Sequence, residues 1–122
     1  MSYINARGEQ VDFDVSAAAG IYRTYTAYTE AGSVYDLTGK LVVAVLKDDM
    51  DQARGYGSAS NTETEYTQII TDAANGEFSF AIPASAFSNK ESGRLSHETY
   101  VLLENGKRVG IMYGFINVLE RG

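Results

Sequence analysis

Six consecutive residues, Leu41-Val42-Val43-Ala44-Val45-Leu46, carry no polar side chain. A strand alternates its side chains between two faces, so this run is apolar on both and needs cover on both. It is expected as an interior strand, Leu41 to Lys47, of a layered β-structure. The residues before it, Tyr35-Asp36-Leu37-Thr38-Gly39, read as a turn feeding that strand. Asp36 can accept a hydrogen bond from its own backbone two residues on, and Gly39 can adopt a left-handed conformation.

The flanking segments are also of β type. Gln10-Val11-Asp12-Phe13-Asp14-Val15 alternates, which predicts a half-buried strand with Val11, Phe13 and Val15 inward. Ile21 to Thr29 is rich in Tyr and Thr, which favour strands; its tyrosines at 22, 25 and 28 also fit a helical spacing. Thr64 to Thr71 is β-rich, and Asp72-Ala73-Ala74-Asn75-Gly76 closes a hairpin-like connection to Glu77-Phe78-Ser79-Phe80-Ala81-Ile82. In that strand Phe78, Phe80 and Ile82 are expected in the core, with Glu77 and Ser79 toward water. One helical turn is expected near 83–88, started by Pro83, with Phe87 packing down. Ser88 to Ser96 reads as a polar loop. Asn105-Gly106 between two apolar strands is a hairpin signal. Gly110 and Gly114 in the closing strand predict a bulge or a close backbone approach. The sum is an all-β chain, an immunoglobulin-like β-sandwich of about seven antiparallel strands. Residues 1–9 are expected as an N-terminal extension, an assembly arm, and 10–120 as a single sandwich domain.

Composition narrows the function classes. The 122 residues contain no cysteine, which removes disulfides, thiol nucleophiles and Cys-based zinc sites and favours folding in a reducing cytoplasm. The net charge of −6 argues against nucleic acid as a partner. No apolar run approaches a membrane span and the N-terminus has no secretory h-region, so no membrane association is expected.

Catalytic chemistry finds little support. His97 is the one histidine, so a Ser-His-Asp triad would have to use it, and no Gly-x-Ser-x-Gly elbow is present. Asp48, Asp49 and Asp51 offer oxygens for Ca²⁺, but the glycine and terminal glutamate of an EF-hand are not in place, and a solvated turn is the preferred reading. Glu63, Glu65 and Glu77 show no spacing that marks a glycosidase pair. Tyrosines 22, 25, 28, 35, 56 and 66 can stack on sugar rings, although a core or protein-interface role is favoured. No catalytic residue and no cofactor is assigned.

The order of features carries a resemblance. Val11-Asp12-Phe13-Asp14-Val15, Tyr35-Asp36-Leu37-Thr38-Gly39 with its apolar strand, Asn75-Gly76-Glu77-Phe78-Ser79-Phe80-Ala81-Ile82-Pro83, a strand containing Tyr100, and Asn105-Gly106-Lys107-Arg108 follow one another. Over roughly residues 9 to 119 this resembles the small immunoglobulin-like domains of tailed-bacteriophage virion proteins, in particular upper-baseplate-type N-terminal domains. Those typically show a D-L-T-G turn before a strand and a G-x-F-x-(F/Y)-x-(I/L)-P strand. Larger tail proteins continue into receptor-binding or coiled-coil regions, whereas this chain stops at Gly122. The resemblance therefore implies a free-standing, non-enzymatic virion subunit of tail, baseplate, neck or capsid surface, assembled in the host cytoplasm. It implies partnership with other virion proteins and a homo-oligomer or repeated copies in a symmetric assembly. Contacts are expected from Tyr3 and Ile4, from Tyr22, Tyr25 and Tyr28, and from Met50 and Tyr56 in the 48–61 loop. The alternative is a carbohydrate-binding module using exposed tyrosines, with Ca²⁺ at the three loop aspartates.

Overall fold

A computed structural model gives the fold and describes residues 2–5, 8–16, 19–47, 63–87 and 93–119. Ten strands are present among them: β1 (Ser2–Asn5), β2 (Glu9–Gln10), β3 (Phe13–Ser16), β4 (Ile21–Tyr28), β5 (Leu41–Lys47), β6 (Glu63–Thr67), β7 (Ile69–Asp72), β8 (Glu77–Ile82), β9 (Gly93–Leu102) and β10 (Arg108–Leu119). They form a sandwich of two sheets. One has the order β1-β4-β8-β7; the other runs β2-β10-β9-β5-β6, with β3 also paired to β10.

The core lies between the sheets. Tyr25, Phe78, Phe80 and Ile82 point in from the first, and Val42, Ala44, Leu46, Val101, Ile116 and Val118 from the second. Phe13 and Phe80 stack across the interior with ring centroids 5.2 Å apart. Burying each such phenyl ring is worth about 1.5–3 kcal/mol. β5 lies between β9 and β6, so the apolar run is an interior strand, one place from the edge. Its second face packs too: Val43 and Val45 cluster with Tyr100, and Leu102 borders them.

The turn before β5 forms as its residues dictate. Asp36 Oδ1 accepts the Thr38 N–H at 2.9 Å, and Gly39 has φ +75°. Leu37 is fully buried, and its N–H bonds the Ala73 carbonyl at 2.8 Å. The hairpin at Asn105-Gly106 is present. Asn105 does not take positive φ, so the pair does not form a two-residue I′ turn. Asn105 Oδ1 accepts the Lys107 N–H, and Leu103 and Lys107 close a three-residue loop with Gly106 at φ +83°. A 3-10 turn spans Ala84–Phe87 with Phe87 buried.

Several expectations change. The strands are not all antiparallel: β1 runs parallel to β4, and β2 and β3 run parallel to β10. The residues expected as an extension instead supply β1 and β2, with Ile4 only 1% exposed. The chain passes from one sheet to the other between Asn5 and Gly8, whose N–H bonds the Asn5 carbonyl. The Ile21–Thr29 tyrosines lie on a strand. Thr64 to Thr71 is two strands in different sheets, divided at Gln68. Gly93 to Glu98, expected in a loop or just beyond it, belongs to β9, because Leu95, His97, Thr99 and Val101 alternate into the core.

Candidate interaction surface

Strand parity decides what each outer face offers. On β4, Tyr25 and Ala27 point into the core, which turns Tyr22, Thr24, Thr26 and Tyr28 outward. Register then places Ala81 opposite Tyr22, and sets Thr24, Ser79 and Ile69 in one row across β4, β8 and β7. Tyr22 is 62% exposed and Ile69 55%. Ser79, expected toward water, is 1% exposed although it lies on this face; its hydroxyl meets the Tyr22 hydroxyl at 3.3 Å. Tyr22 thus leans across the sheet and roofs it.

None of Tyr22, Thr24, Ser79, Ala81 and Ile69 carries a charge. Glu77 sits at the border, accepting the Thr71 hydroxyl proton at 2.8 Å. In a chain of net charge −6, an uncharged sheet face with two exposed large side chains has the composition of an interface centre, where charges are depleted and Tyr is enriched.

The outer face of the other sheet is different. Arg108 lies over the Tyr100 ring at 4.6 Å, and Arg94 over Phe115 at 4.4 Å. These guanidinium groups cover the aromatic faces from within the same chain. Glu65 and Glu98 flank Val45 across the strands. That surface mixes charge with apolar side chains, and Leu41, Tyr113 and Leu119 on it are each about half exposed.

The expected contact residues are divided by the fold. Tyr22 and Tyr28 share the uncharged face, the latter half-buried. Tyr25 is 5% exposed and packs on Phe78, and burial pushes its phenol pKa up. Ile4 is in the core as well. Both are corrected as surface contacts of the folded chain, because strand parity turns them inward. Tyr3 stands opposite Thr26 in the β1–β4 ladder. Met50, Tyr56 and the three aspartates Asp48, Asp49 and Asp51 lie outside the described residues. Ile69 and Ser79 were missed. The signal for Ile69 was the Ile69-Ile70 doublet, since adjacent strand residues cannot both face the core.

His97 is a structural residue of the interior. It is 1% exposed, tilted against the stacked rings of Phe13 and Phe80, with Nε2 2.6 Å from the Val11 carbonyl oxygen. A carbonyl can only accept, so Nε2 carries the proton and Nδ1 is bare. Nδ1 has no hydrogen-bond partner among the described residues. Burial holds the pKa below the ordinary histidine value.

The Val11 carbonyl reaches His97 because of its neighbours. β2 and β3 share one register on β10, which sets Val11 opposite Gly114 and Asp12 opposite Phe115. The Val11 N–H makes its ladder bond to the Tyr113 carbonyl at 2.8 Å. In a parallel ladder the Val11 carbonyl would next accept the Phe115 N–H. Instead Asp12 Oδ1 accepts it at 2.9 Å. The freed carbonyl turns inward over Gly114, where a Cβ would collide with it.

No protein-family model matches the chain, and no curated protein matches it by sequence. Among solved structures the fold is similar to the N-terminal domain of phage TP901-1 ORF48, with a TM-score of 0.56 over 98% of each chain at 12% sequence identity. At that identity the likeness is one of fold.

Proposed function

We propose that this chain is a non-enzymatic structural subunit of a tailed-phage virion, working through protein–protein contacts in a symmetric assembly. The observation that carries this is the fold likeness to a phage protein domain, which leaves almost nothing of either chain unmatched. It agrees with the resemblance read from the Asp36-Leu37-Thr38-Gly39 turn and the Phe78-Ser79-Phe80-Ala81-Ile82-Pro83 strand. The uncharged face around Tyr22 and Ile69 supports the same reading, because repeated copies need surfaces that associate without charge repulsion. The partners are other virion proteins or further copies of the chain, met in the virion after folding in the host cytoplasm.

The test is native mass measurement and sedimentation of the purified chain, alone and mixed with the products of neighbouring genes. A defined oligomer or a stable complex is expected. A strict monomer that binds none of them would overturn the proposal.

A further inference from the structure

We propose that the His97–Val11 bond is an acid-sensitive latch, whose protonation frees the segment 11–16 from β10 while the rest of the sandwich stays assembled. The geometry of four residues carries this. Asp12 takes the ladder position of the Val11 carbonyl, Gly114 leaves room for that carbonyl to turn inward, and His97 is the group that receives it. The neutral ring serves this role with the proton on Nε2. A second proton must go to Nδ1, which is buried and has no acceptor within hydrogen-bond reach among the described residues.

The surroundings compensate that charge only in part, and burial outweighs them. Phe13 and Phe80 face the ring from β3 and β8, with centroids 5.5 and 5.6 Å away. Leu46 and Gly114 are its neighbours on β5 and β10. The carboxylates that act on it are Asp12 and Glu98. Asp12 is already committed to the Phe115 N–H, and Glu98 is exposed on the opposite face of β9. Lys47, next to Leu46, adds a positive charge on that outer side. A charged imidazole is therefore relieved by leaving the interior, and the Val11 carbonyl then loses its partner. The folded pKa is lowered, so His97 binds the proton more tightly once the segment 11–16 has come away and the ring is exposed. The latch holds fully above the ordinary histidine value of 6.5 and weakens as pH falls below it. β3 is the strand to release, because it holds β10 through one short parallel ladder at the sheet's margin.

The experiment is amide hydrogen exchange on the full chain between pH 7.5 and about 4.5, corrected for intrinsic rates. The expected result is a loss of protection of about tenfold or more, as pH falls, at the amides joining β3 and β10, with the β4–β8 ladder unchanged. His97→Gln keeps a donor but does not titrate, and it should show no such step. An ordinary His97 titration near pH 6.5 in wild-type NMR spectra, loss of protection in all strands together, or a step that persists in His97→Gln would each overturn the latch. The wild-type titration and exchange decide the matter even if the variant does not fold.

Discussion

Asp12 Oδ1 stands 2.9 Å from the Phe115 backbone nitrogen and fills a rung of the β3–β10 ladder that a main-chain carbonyl would otherwise supply. A side chain written as the wet half of an alternating strand is thus part of the sheet's hydrogen bonding.

Removing that carboxylate leaves the Phe115 N–H without its acceptor. Asp12→Ala is expected to destabilise the fold by about 1–2 kcal/mol, read as a lower urea midpoint at unchanged slope. Asp12→Asn keeps an acceptor oxygen and should lose less than half as much. Equal losses in the two variants would mean that the charge, not the hydrogen bond, matters.

The two glycines of β10 should respond unequally to an added methyl group. At Gly114, φ is +152° and an added Cβ would collide with the Val11 carbonyl and approach Asp12 Oδ1 to 2.6 Å. Gly114→Ala is expected to cost about 2–4 kcal/mol, from backbone strain together with displacement of β2 and β3. Gly110, beside the register shift that precedes Met112, has open space around the Cβ position. Gly110→Ala should stay within about 0.5 kcal/mol of wild type. Similar urea midpoints for the two variants would contradict the close approach at Gly114.

Gln68 joins the two sheets. Its N–H bonds the Val42 carbonyl at 2.7 Å, its Nε2 donates to the Tyr66 carbonyl at 2.8 Å, and its Oε1 accepts the Ala81 N–H. β7 pairs with β8 only as far as Ser79, so the amide side chain continues the edge that β7 no longer covers. Gln68→Ala leaves the Ala81 N–H unpartnered and opens space at the switch between sheets. A loss of about 2–3 kcal/mol is expected in urea unfolding. Gln68→Glu keeps an acceptor for Ala81 but sets a carboxylate oxygen against the Tyr66 carbonyl at a residue only 5% exposed. Its loss near neutral pH should be at least as large as that of the alanine variant, and should shrink in acid, where a protonated carboxyl can donate to Tyr66.

The turn at Asp36 gives a prediction in acid. Hydrogen bonds from Thr38, from its side chain first and then its backbone N–H, hold the Asp36 carboxyl below the ordinary 3.8. A lowered folded pKa means that the turn's contribution is complete above 3.8 and is lost as pH falls below it. The Thr38 amide shift in an NMR titration should therefore move with a midpoint below 3.8. A midpoint at or above that value would remove the Asx bond as its cause.

Much of this was readable residue by residue. The Asx turn at Asp36, the left-handed Gly39 and the 3-10 turn ending in Phe87 follow from local chemistry, and the structure contains each of them. Both readings of the β10 glycines are realised, a register shift beside Gly110 and a close approach at Gly114. What was hidden depends on partners distant in sequence. Nothing in Val11-Asp12-Phe13 shows that the facing residue is a glycine, so the turned carbonyl and the role of His97 were not legible. Tyr22 and Tyr25 are the same residue type three positions apart on one strand, and only parity against β8 sends one to solvent and the other to the core. Gln68 sits in a run of β-formers, and no local signal marks it as the place where the chain changes sheets.

The uncharged face makes the proposed function testable by substitution. Tyr22 and Ile69 project from it and make few demands on the core, so Tyr22→Arg and Ile69→Arg should change folding stability by about 0.5 kcal/mol or less. Loss of the Tyr22 hydroxyl bond to Ser79 is included in that figure, since the bond is long at 3.3 Å. If copies of the chain or a virion partner meet on this face, each arginine brings a charge into the desolvated centre of the contact. Affinity should then fall by tenfold or more, about 1.4 kcal/mol, in sedimentation or native mass titrations. Leu41→Arg places the same charge on the other sheet, at a residue that is 49% exposed, and should leave association intact. Undiminished association in both Tyr22→Arg and Ile69→Arg would move the interface elsewhere on the molecule. Loss of association only in Leu41→Arg would place it on the six-stranded sheet, despite the guanidinium groups that cover Tyr100 and Phe115 there.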